Sequence, residues 1–245
     1  MNLKVLSSSS EGNCYLLTSS GGSTLIIECG VPSADIKKAL HFSLRDVAGC
    51  IVTHQHNDHA RSVIDLLRYG INVYAGSDVF KSKGHKSPFA CIVRPRQSFN
   101  IGEYKVTALQ SFHDVPCLCY IVEHEEMGKL LFATDTYKLP YKVKDINHLM
   151  LECNYCDDVL EIREENGDCP SALRERLMLT HMEKSTTKRV VEQNMCDSLQ
   201  TIVLLHLSAD NSCADEMRKC ILMASGRPTY IAEKGLELKL DIEPY

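Results

Sequence analysis

The stretch Thr53-His54-Gln55-His56-Asn57-Asp58-His59 places three imidazoles and a carboxylate within six residues, directly after the apolar run 50–53. Packing alone does not account for such a cluster, because every buried imidazole or carboxylate loses hydration and needs a partner. A divalent cation is that partner. Neutral imidazole nitrogen and carboxylate oxygen suit zinc, manganese or iron(II), and no cysteine is required. A strand end followed by a tight turn points alternate side chains to one place. His54 and His56 can therefore share one ion, while Asp58 and His59, opening the next helix, reach a neighbouring one.

One loop supplies too few ligands for two ions. Three further positions have the same grammar, a polar ligand after a β-prone apolar run. They are His113 in Ser111-Phe112-His113-Asp114, Asp135 in Leu131-Phe132-Ala133-Thr134-Asp135-Thr136, and His206 in Val203-Leu204-Leu205-His206. Strand C-terminal ends gather along one edge of a sheet, so these positions converge readily.

The elements that must carry them follow from local pattern. Residues 3–6, 14–18 and 24–29 are short β-prone runs separated by Ser/Gly turns. A helix is expected over 33–42 with Ser33 as N-cap, then a buried strand over 50–53, a helix over 60–69 and a strand over 72–75. The middle reads as strands over 104–109, 117–123, 130–133 and 148–151. The last third alternates, with helices over 171–178, 185–196 and 213–224 and strands over 201–205 and 229–232. The early and middle runs are hairpin-like, which favours two mixed sheets flanked by helices over one parallel sheet.

No repeat, low-complexity tract or long linker divides the 245 residues, so one domain over 1–245 is expected. Composition is that of an ordinary globular chain, 44% hydrophobic and 24% charged, and a net charge of −5 gives no bulk attraction for a polyanion. No apolar run reaches the roughly 18–20 residues that cross a bilayer. The opening Met1-Asn2-Leu3-Lys4-Val5-Leu6 runs straight into serines and lacks the apolar core of a signal peptide. A cytoplasmic protein without membrane contact is expected. The twelve cysteines are scattered, several inside apolar runs (Cys50, Cys91, Cys119), and read as buried free thiols of a reducing compartment. The one Cys-x-x-Cys, Cys153 and Cys156, has no second pair to complete a zinc site.

His-x-His-x-Asp-His followed by single His, Asp and His resembles the metal signature of the metallo-β-lactamase-fold hydrolases. Ser8-Ser9-Ser10-Glu11-Gly12-Asn13-Cys14-Tyr15 is similar to the Ser-Gly-Ser-Ser-Gly-Asn opening of the YycJ/WalJ group of that superfamily. Leu151-Glu152-Cys153-Asn154 resembles the group's Glu-Ala-Asn-His segment, and His206-Leu207-Ser208-Ala209-Asp210-Asn211 its His-Leu-Ser-x-x-Asn close. The likeness runs from about residue 3 to residue 235. It implies an α/β (α+β) four-layer αββα sandwich of the metallo-β-lactamase fold. It also implies two divalent ions per chain, zinc first, with manganese or iron as alternatives. His54, His56 and His113 would hold one ion, Asp58, His59 and His206 the other, with Asp135 between them. A hydroxide between the metals would be the nucleophile, with Asp58 orienting it. His181, in Leu179-Thr180-His181-Met182, aligns with a non-ligand histidine of the family and would protonate a leaving group or contact phosphate. Three departures stand out: Glu28 at a position usually Asp, Tyr155-Cys156 where His and Asp are expected, and Met182-Glu183-Lys184 after His181.

The substrate implied is a phosphodiester, DNA cut exonucleolytically or a small nucleotide. Between Val79 and Gly102 there is no acidic residue, while Lys81, Lys83, Lys86, Arg94 and Arg96 are interleaved with Phe80, Phe89 and Phe99. Such a stretch can follow a phosphate backbone and stack bases, or be a solvated loop. Asn154 and Asn211 are the other candidate substrate contacts. The rival readings are hydrolysis of a thioester or lactam carbonyl by the same metal chemistry, and a non-catalytic binding protein. Retention of all seven candidate ligands speaks against the latter.

Overall fold

A computed structural model describes residues 1–242. The first sheet contains β1 (Asn2–Ser9), β2 (Gly12–Thr18), β3 (Thr24–Ile27), β4 (Val47–Ile51), β5 (Val73–Ala75) and β6 (Ala90–Ile92). The second contains β7 (Ser98–Ile101), β8 (Tyr104–Phe112), β9 (Pro116–His124), β10 (Gly128–Ala133), β11 (His148–Glu152), β12 (Thr201–Leu205) and β13 (Thr229–Ile231). The chain then returns to the first sheet as β14 (Glu237–Lys239), beside β1. Both sheets are seven-stranded, in the orders β14-β1-β2-β3-β4-β5-β6 and β13-β12-β11-β10-β9-β8-β7. Each is antiparallel on one side and parallel on the other, β3 to β6 in the first and β10 to β13 in the second.

Near-continuous burial along the central strands gives each sheet two apolar faces. The inner faces meet in a core that includes Leu3, Val5, Tyr15, Ile27, Tyr104, Phe132, Met150 and Val203. Helices α1 (Ser33–Ala39), α2 (Asn57–Ala60), α3 (Val63–Arg68) and α4 (Ser77–Lys83) lie along the first half of the chain. Ile36, Ala60, Val63, Leu66, Val79 and Phe80 from these four helices cover the outer face of the first sheet. On the second sheet the outer face is covered by α7 (Lys184–Gln193) and α8 (Ala214–Ser225) through Val190, Val191, Met217 and Ile221. The preceding α5 (Asp157–Glu165) and α6 (Ser171–Thr180) share a small cluster of Tyr155, Leu160, Cys169 and Leu177. The expected four-layer αββα arrangement is the one observed.

Local differences from the sequence reading have physical causes. The helix expected over 60–69 is two helices, because Ser62 leaves the helical path to bond the preceding turn. Its amide donates to Cys29 O at 2.9 Å and its hydroxyl to Val31 O at 2.6 Å. Pro32, not Ser33, occupies the N-cap of α1, and no side chain caps it. β1 runs on to Ser9 through a bulge between Val5 and Ser7, where serines hide the strand from an apolar pattern. α4 and α5 were not expected, since each is dense in charge and buries few side chains. All twelve cysteines are free thiols; Cys91, expected to be buried, is half-exposed on the edge strand β6.

Gly30 is where the two loops of the first sheet touch. A Cβ there would lie 1.6 Å from Asp58 O and 2.1 Å from its carbonyl carbon, both backbone atoms that cannot swing aside. Gly30→Ala is therefore expected to destabilise by about 2 kcal/mol or more and to lower bound metal, whereas Gly76→Ala, with nothing within 4 Å, stays within about 0.5–1 kcal/mol. Denaturant melts with elemental analysis check both. His148, at the far end of β11, is buried, and burial pushes its imidazole down to about 4. Against an unfolded value near 6.5, the unfolded chain binds more protons between pH 6.5 and 4, so stability falls as pH drops through that window. In chelator, His148→Leu should lose about 3 kcal/mol less than the parent chain between pH 7 and pH 4.

Candidate metal centre

The parallel strands of both sheets, with the antiparallel β8, deliver the candidate ligands to one edge. In the first sheet Glu28 follows β3 directly, and Thr53 and His54 follow β4, with His56 leading into α2, which carries Asp58 and His59. In the second, His113 follows β8, Asp135 stands just past β10, Glu152 ends β11 and His206 follows β12. Three of these residues have left-handed backbones: Glu28 at φ 62, Asp135 at φ 48 and His206 at φ 53. That conformation costs an L-residue roughly 1–2 kcal/mol, and such strain gathers at functional sites. Here it turns the chain sharply as it leaves the strand.

His54 Nε2 and His56 Nδ1 face each other at 3.0 Å, and the His113 ring lies 4.9 Å and 5.2 Å from theirs. His59 Nε2 is 2.8 Å from Asp135 Oδ2 and 3.3 Å from Asp58 Oδ2. His206 Nε2 lies 3.7 Å from Asp58 Oδ2. Four overlapping sets of potential ligands emerge: His54/His56/His113, Asp58/His59/His206, His54/His59/Asp135, and Asp135/Glu152/His181/His206. They include the seven candidate ligands singled out by sequence, brought to one place.

The opposite ring nitrogens decide whether a cation fits. His113 Nδ1 is 2.8 Å from Thr180 O, and a carbonyl can only accept, so Nδ1 carries the proton and the Nε2 lone pair faces the cluster. His54 Nδ1 rests on Thr53 Oγ1 at 2.9 Å; Glu28 Oε1 stands 3.5 Å behind His59 Nδ1, and behind His206 Nδ1 stand Asn154 Nδ2 at 3.1 Å and Glu152 Oε1 at 3.5 Å. A metal-ligating imidazole is typically held by an oxygen behind the nitrogen that does not coordinate, as His113 and His54 are here. His206 Nε2 is buried with no hydrogen-bond partner among the described residues. Two nitrogens about 2.0–2.1 Å from a tetrahedral ion are themselves ~3.3 Å apart, close to the His54–His56 separation. The His/Asp cluster fits a dinuclear metal site.

Charge gives the same answer. Burial pushes the Asp135 carboxyl up, but His206 and His59 outweigh it and hold the group well below the usual carboxylate range. Asp58 is also lowered; burial opposes this, while the adjacent His206 and His59 rings favour its ionised form. His206 is raised to about 10, since Asp135, Asp58 and Glu152 outweigh the burial that disfavours its charge. Burial and the neighbouring His59 push His54 well down. The cluster thus keeps its carboxylates ionised and demands compensating positive charge.

The remaining expected residues fall into three situations. His181 joins the cluster: its Nδ1 is 2.6 Å from Glu152 Oε1 and 3.4 Å from Asp135 Oδ1, and its ring stacks on His206 at 5.4 Å. Asn154 and Asn211 act as framework. Asn154 Nδ2 donates to His206 O at 2.7 Å, and Asn211 binds Arg163 and Ser208 while its carbonyl accepts from Cys156 N. Of the basic residues, Lys83 alone bonds the metal loop, donating to Asn57 Oδ1 at 2.7 Å, and Lys81 pairs with Asp78. Lys86, Arg94 and Arg96 bond no cluster residue through their side chains, and the interleaved Phe80 and Phe99 pack into cores, Phe99 stacked on Tyr74 at 5.1 Å. Sequence reasoning gave Glu152 no role, although it ends an apolar run just as Asp135 does. Nor did it find Thr53, whose hydroxyl carries no ligand signal, or the contact of Ser8, which accepts from His206 N at 3.0 Å.

Glu28, longer than the usual Asp, also accepts from Thr53 N at 3.3 Å, so one carboxylate braces both His59 and the turn before His54. Glu28→Gln keeps the shape and removes the charge behind His59. It should weaken the His59-side ion about 10–100-fold and leave the other within a few-fold, read by competition with a chromogenic chelator. Equal weakening of both would assign Glu28 to the fold alone.

Residues 10–140 match the model of the metallo-beta-lactamase superfamily. Over 238 residues the chain is 24% identical to an exodeoxyribonuclease YycJ of Bacillus anthracis, covering 90% of this chain and 88% of that protein. Among solved structures, the metallo-beta-lactamase fold protein YhfI from Bacillus subtilis superposes with a TM-score of 0.73 at 17% identity, over 97% of this chain and 99% of that one. A diphosphatase from the PhnP family superposes with a TM-score of 0.68 at 13% identity, over 97% and 96%. A family model spanning more than half the chain, on this fold and with this cluster, makes the protein a hydrolase of the metallo-beta-lactamase superfamily.

Proposed function

We propose that the protein is a two-metal phosphodiesterase that cleaves DNA from a strand end. His54, His56 and His113 hold one ion, Asp58, His59 and His206 the other, and Asp135 joins the two. Bound there, divalent cations, zinc first, supply water of lowered pKa and positive charge opposite the oxygens of phosphorus. Asp58, the most exposed carboxylate of the cluster at 24%, orients the attacking water. The twelve free cysteines favour a reducing, cytoplasmic setting.

The observation that carries this reading is the Glu152–His181 pair. Burial disfavours a charged His181, but Glu152 and Asp135 outweigh it and raise its pKa, which favours the protonated ring. With Nδ1 committed to Glu152, Nε2 is the end that can give a proton to a departing oxygen. An alkoxide leaving a sugar needs that proton, and a thiolate leaving a thioester does not. Similarity to an exodeoxyribonuclease over nine-tenths of the chain supports DNA as the polymer.

Purified protein should contain about two metals per chain and turn over bis(p-nitrophenyl) phosphate and 5′-labelled DNA, with His56→Ala and Asp135→Ala inactive on both. His181→Ala should cost about 10²–10⁴-fold on DNA and under about 5-fold on the nitrophenyl ester, whose leaving group departs unaided. Equal losses on both substrates remove the proton-donor role. Metal-loaded protein that cleaves thioesters or lactams and no phosphodiester overturns the reading.

A further inference from the structure

A second feature borders the cluster and belongs to none of the roles above. Asp58 is a wall of a cavity of about 500 Å³ that is otherwise lined by Ser10, Glu11, Gly30, Asn57 and Arg61. Arg61 lies two residues beyond His59, is exposed, and pairs with no carboxylate among the described residues. Lys83 stands at the same place: its Nζ donates to Asn57 Oδ1, and Asn57 also lines the cavity. One cation, Arg61, therefore lines a polar cavity that opens beside a proposed ligand, and a second, Lys83, bonds a residue of its wall. Glu11 is the one anion besides Asp58 among its lining residues.

The direction of the reaction fixes what enters. Under the phosphodiesterase reading, on which this inference rests, the leaving oxygen departs toward His181, on the second-sheet side of the cluster. The retained side of the substrate then runs over the first-sheet loop that carries Asp58 and Arg61. We propose that this cavity binds the phosphate one nucleotide beyond the scissile one on the retained strand, with Arg61 as its principal contact and Lys83 in support. A guanidinium offers paired donors to phosphate oxygens, and an ammonium anchored by Asn57 adds charge without needing to reorganise. Arg61 thereby sets a preference for a strand over a lone phosphodiester.

Three substrates separate the possibilities: the p-nitrophenyl ester of thymidine 5′-phosphate, the same ester extended by one thymidylate on its 3′ side, and ADP-ribose. The first has one phosphate, the second a neighbouring phosphate on the retained strand, the third two phosphates sharing an oxygen. Arg61→Ala should lower kcat/KM for the extended ester about 10-fold, mainly through KM, and leave the short ester within about 2-fold. Arg61→Lys should recover part of the loss, and Glu11→Gln should lower KM for the extended ester alone. Arg68→Ala, exposed on α3, serves as the control. Equal effects of Arg61→Ala on both esters, or none on either, overturn the assignment, as does an effect confined to ADP-ribose. Wild-type protein inert on every phosphodiester sinks the parent reading instead, and the two failures are thereby told apart.

Discussion

Lone pairs and carboxylate oxygens face one another at 3 Å separations around a buried cluster, and the rest of the structure is arranged to keep them there. Without a cation, His54 Nε2 against His56 Nδ1 at 3.0 Å and His59 Nε2 against Asp135 Oδ2 at 2.8 Å are held by shared protons, which a bound cation would replace. In a low-dielectric surrounding the penalty for such groups rises, so backbone and neighbouring side chains must hold them against relaxation. Backbone strain at Glu28, Asp135 and His206 is part of that cost, and each of the three lies at or just past the end of a parallel strand flanked by neighbours. A strand at a sheet edge would not resist the same strain so well.

The two sheets contribute unequal halves of the site, so their relative placement must be rigid. Direct bonds cross between them. Tyr120 of β9 donates its hydroxyl to Val52 O at 2.8 Å, and Leu118 N donates to Thr53 O at 3.0 Å, next to His54. On the other flank, Ser8 from β1 accepts from His206 N and also bonds Tyr15 OH at 2.7 Å. The Tyr15 ring then packs edge-on against Phe132 at 5.5 Å, which leads along β10 toward Asp135. Apolar packing between the sheets and polar bonds at their edge thus act on the same pair of surfaces.

The candidate ligands were legible in the sequence because they obey two rules that need no tertiary information. His54 to His59 are too dense to be a surface accident, and His113, Asp135 and His206 each follow an apolar run. The sheets were legible for the same reason, since their strands are short apolar runs between Gly/Ser turns. The oxygens that orient the imidazoles were less so. Thr180 acts through its carbonyl, which every residue has, and Thr53 looks like any strand-end threonine. Glu152 had the right grammar but lay in a segment weighed for its cysteine and asparagine. Charge-rich α4 and α5 escaped because they bury few side chains, so no apolar period marks them. The basic stretch split for a related reason: Phe80 and Phe99 fill cores while Phe89 is exposed, and a one-dimensional spacing cannot distinguish core packing from stacking on bases.

The division between what the strands hold and what the loops hold has a chemical consequence. Apart from Asp58 and His59, which α2 carries, the proposed ligands and most of their orienting oxygens sit on strand ends or within a few residues of them, where positions are fixed by the ladder of the sheet. Arg61, Lys83, Glu11 and the α5–α6 segment are placed by turns and short helices, whose geometry can change without disturbing that ladder. Thr180 is the exception that couples the two, since it ends α6 and its carbonyl holds His113 in the tautomer that presents Nε2. His181 follows it immediately and takes its orientation from Glu152. A shift of α6 would therefore move a proposed ligand's tautomer and the proton donor together, which makes the end of that helix the point where loop variation reaches the chemistry.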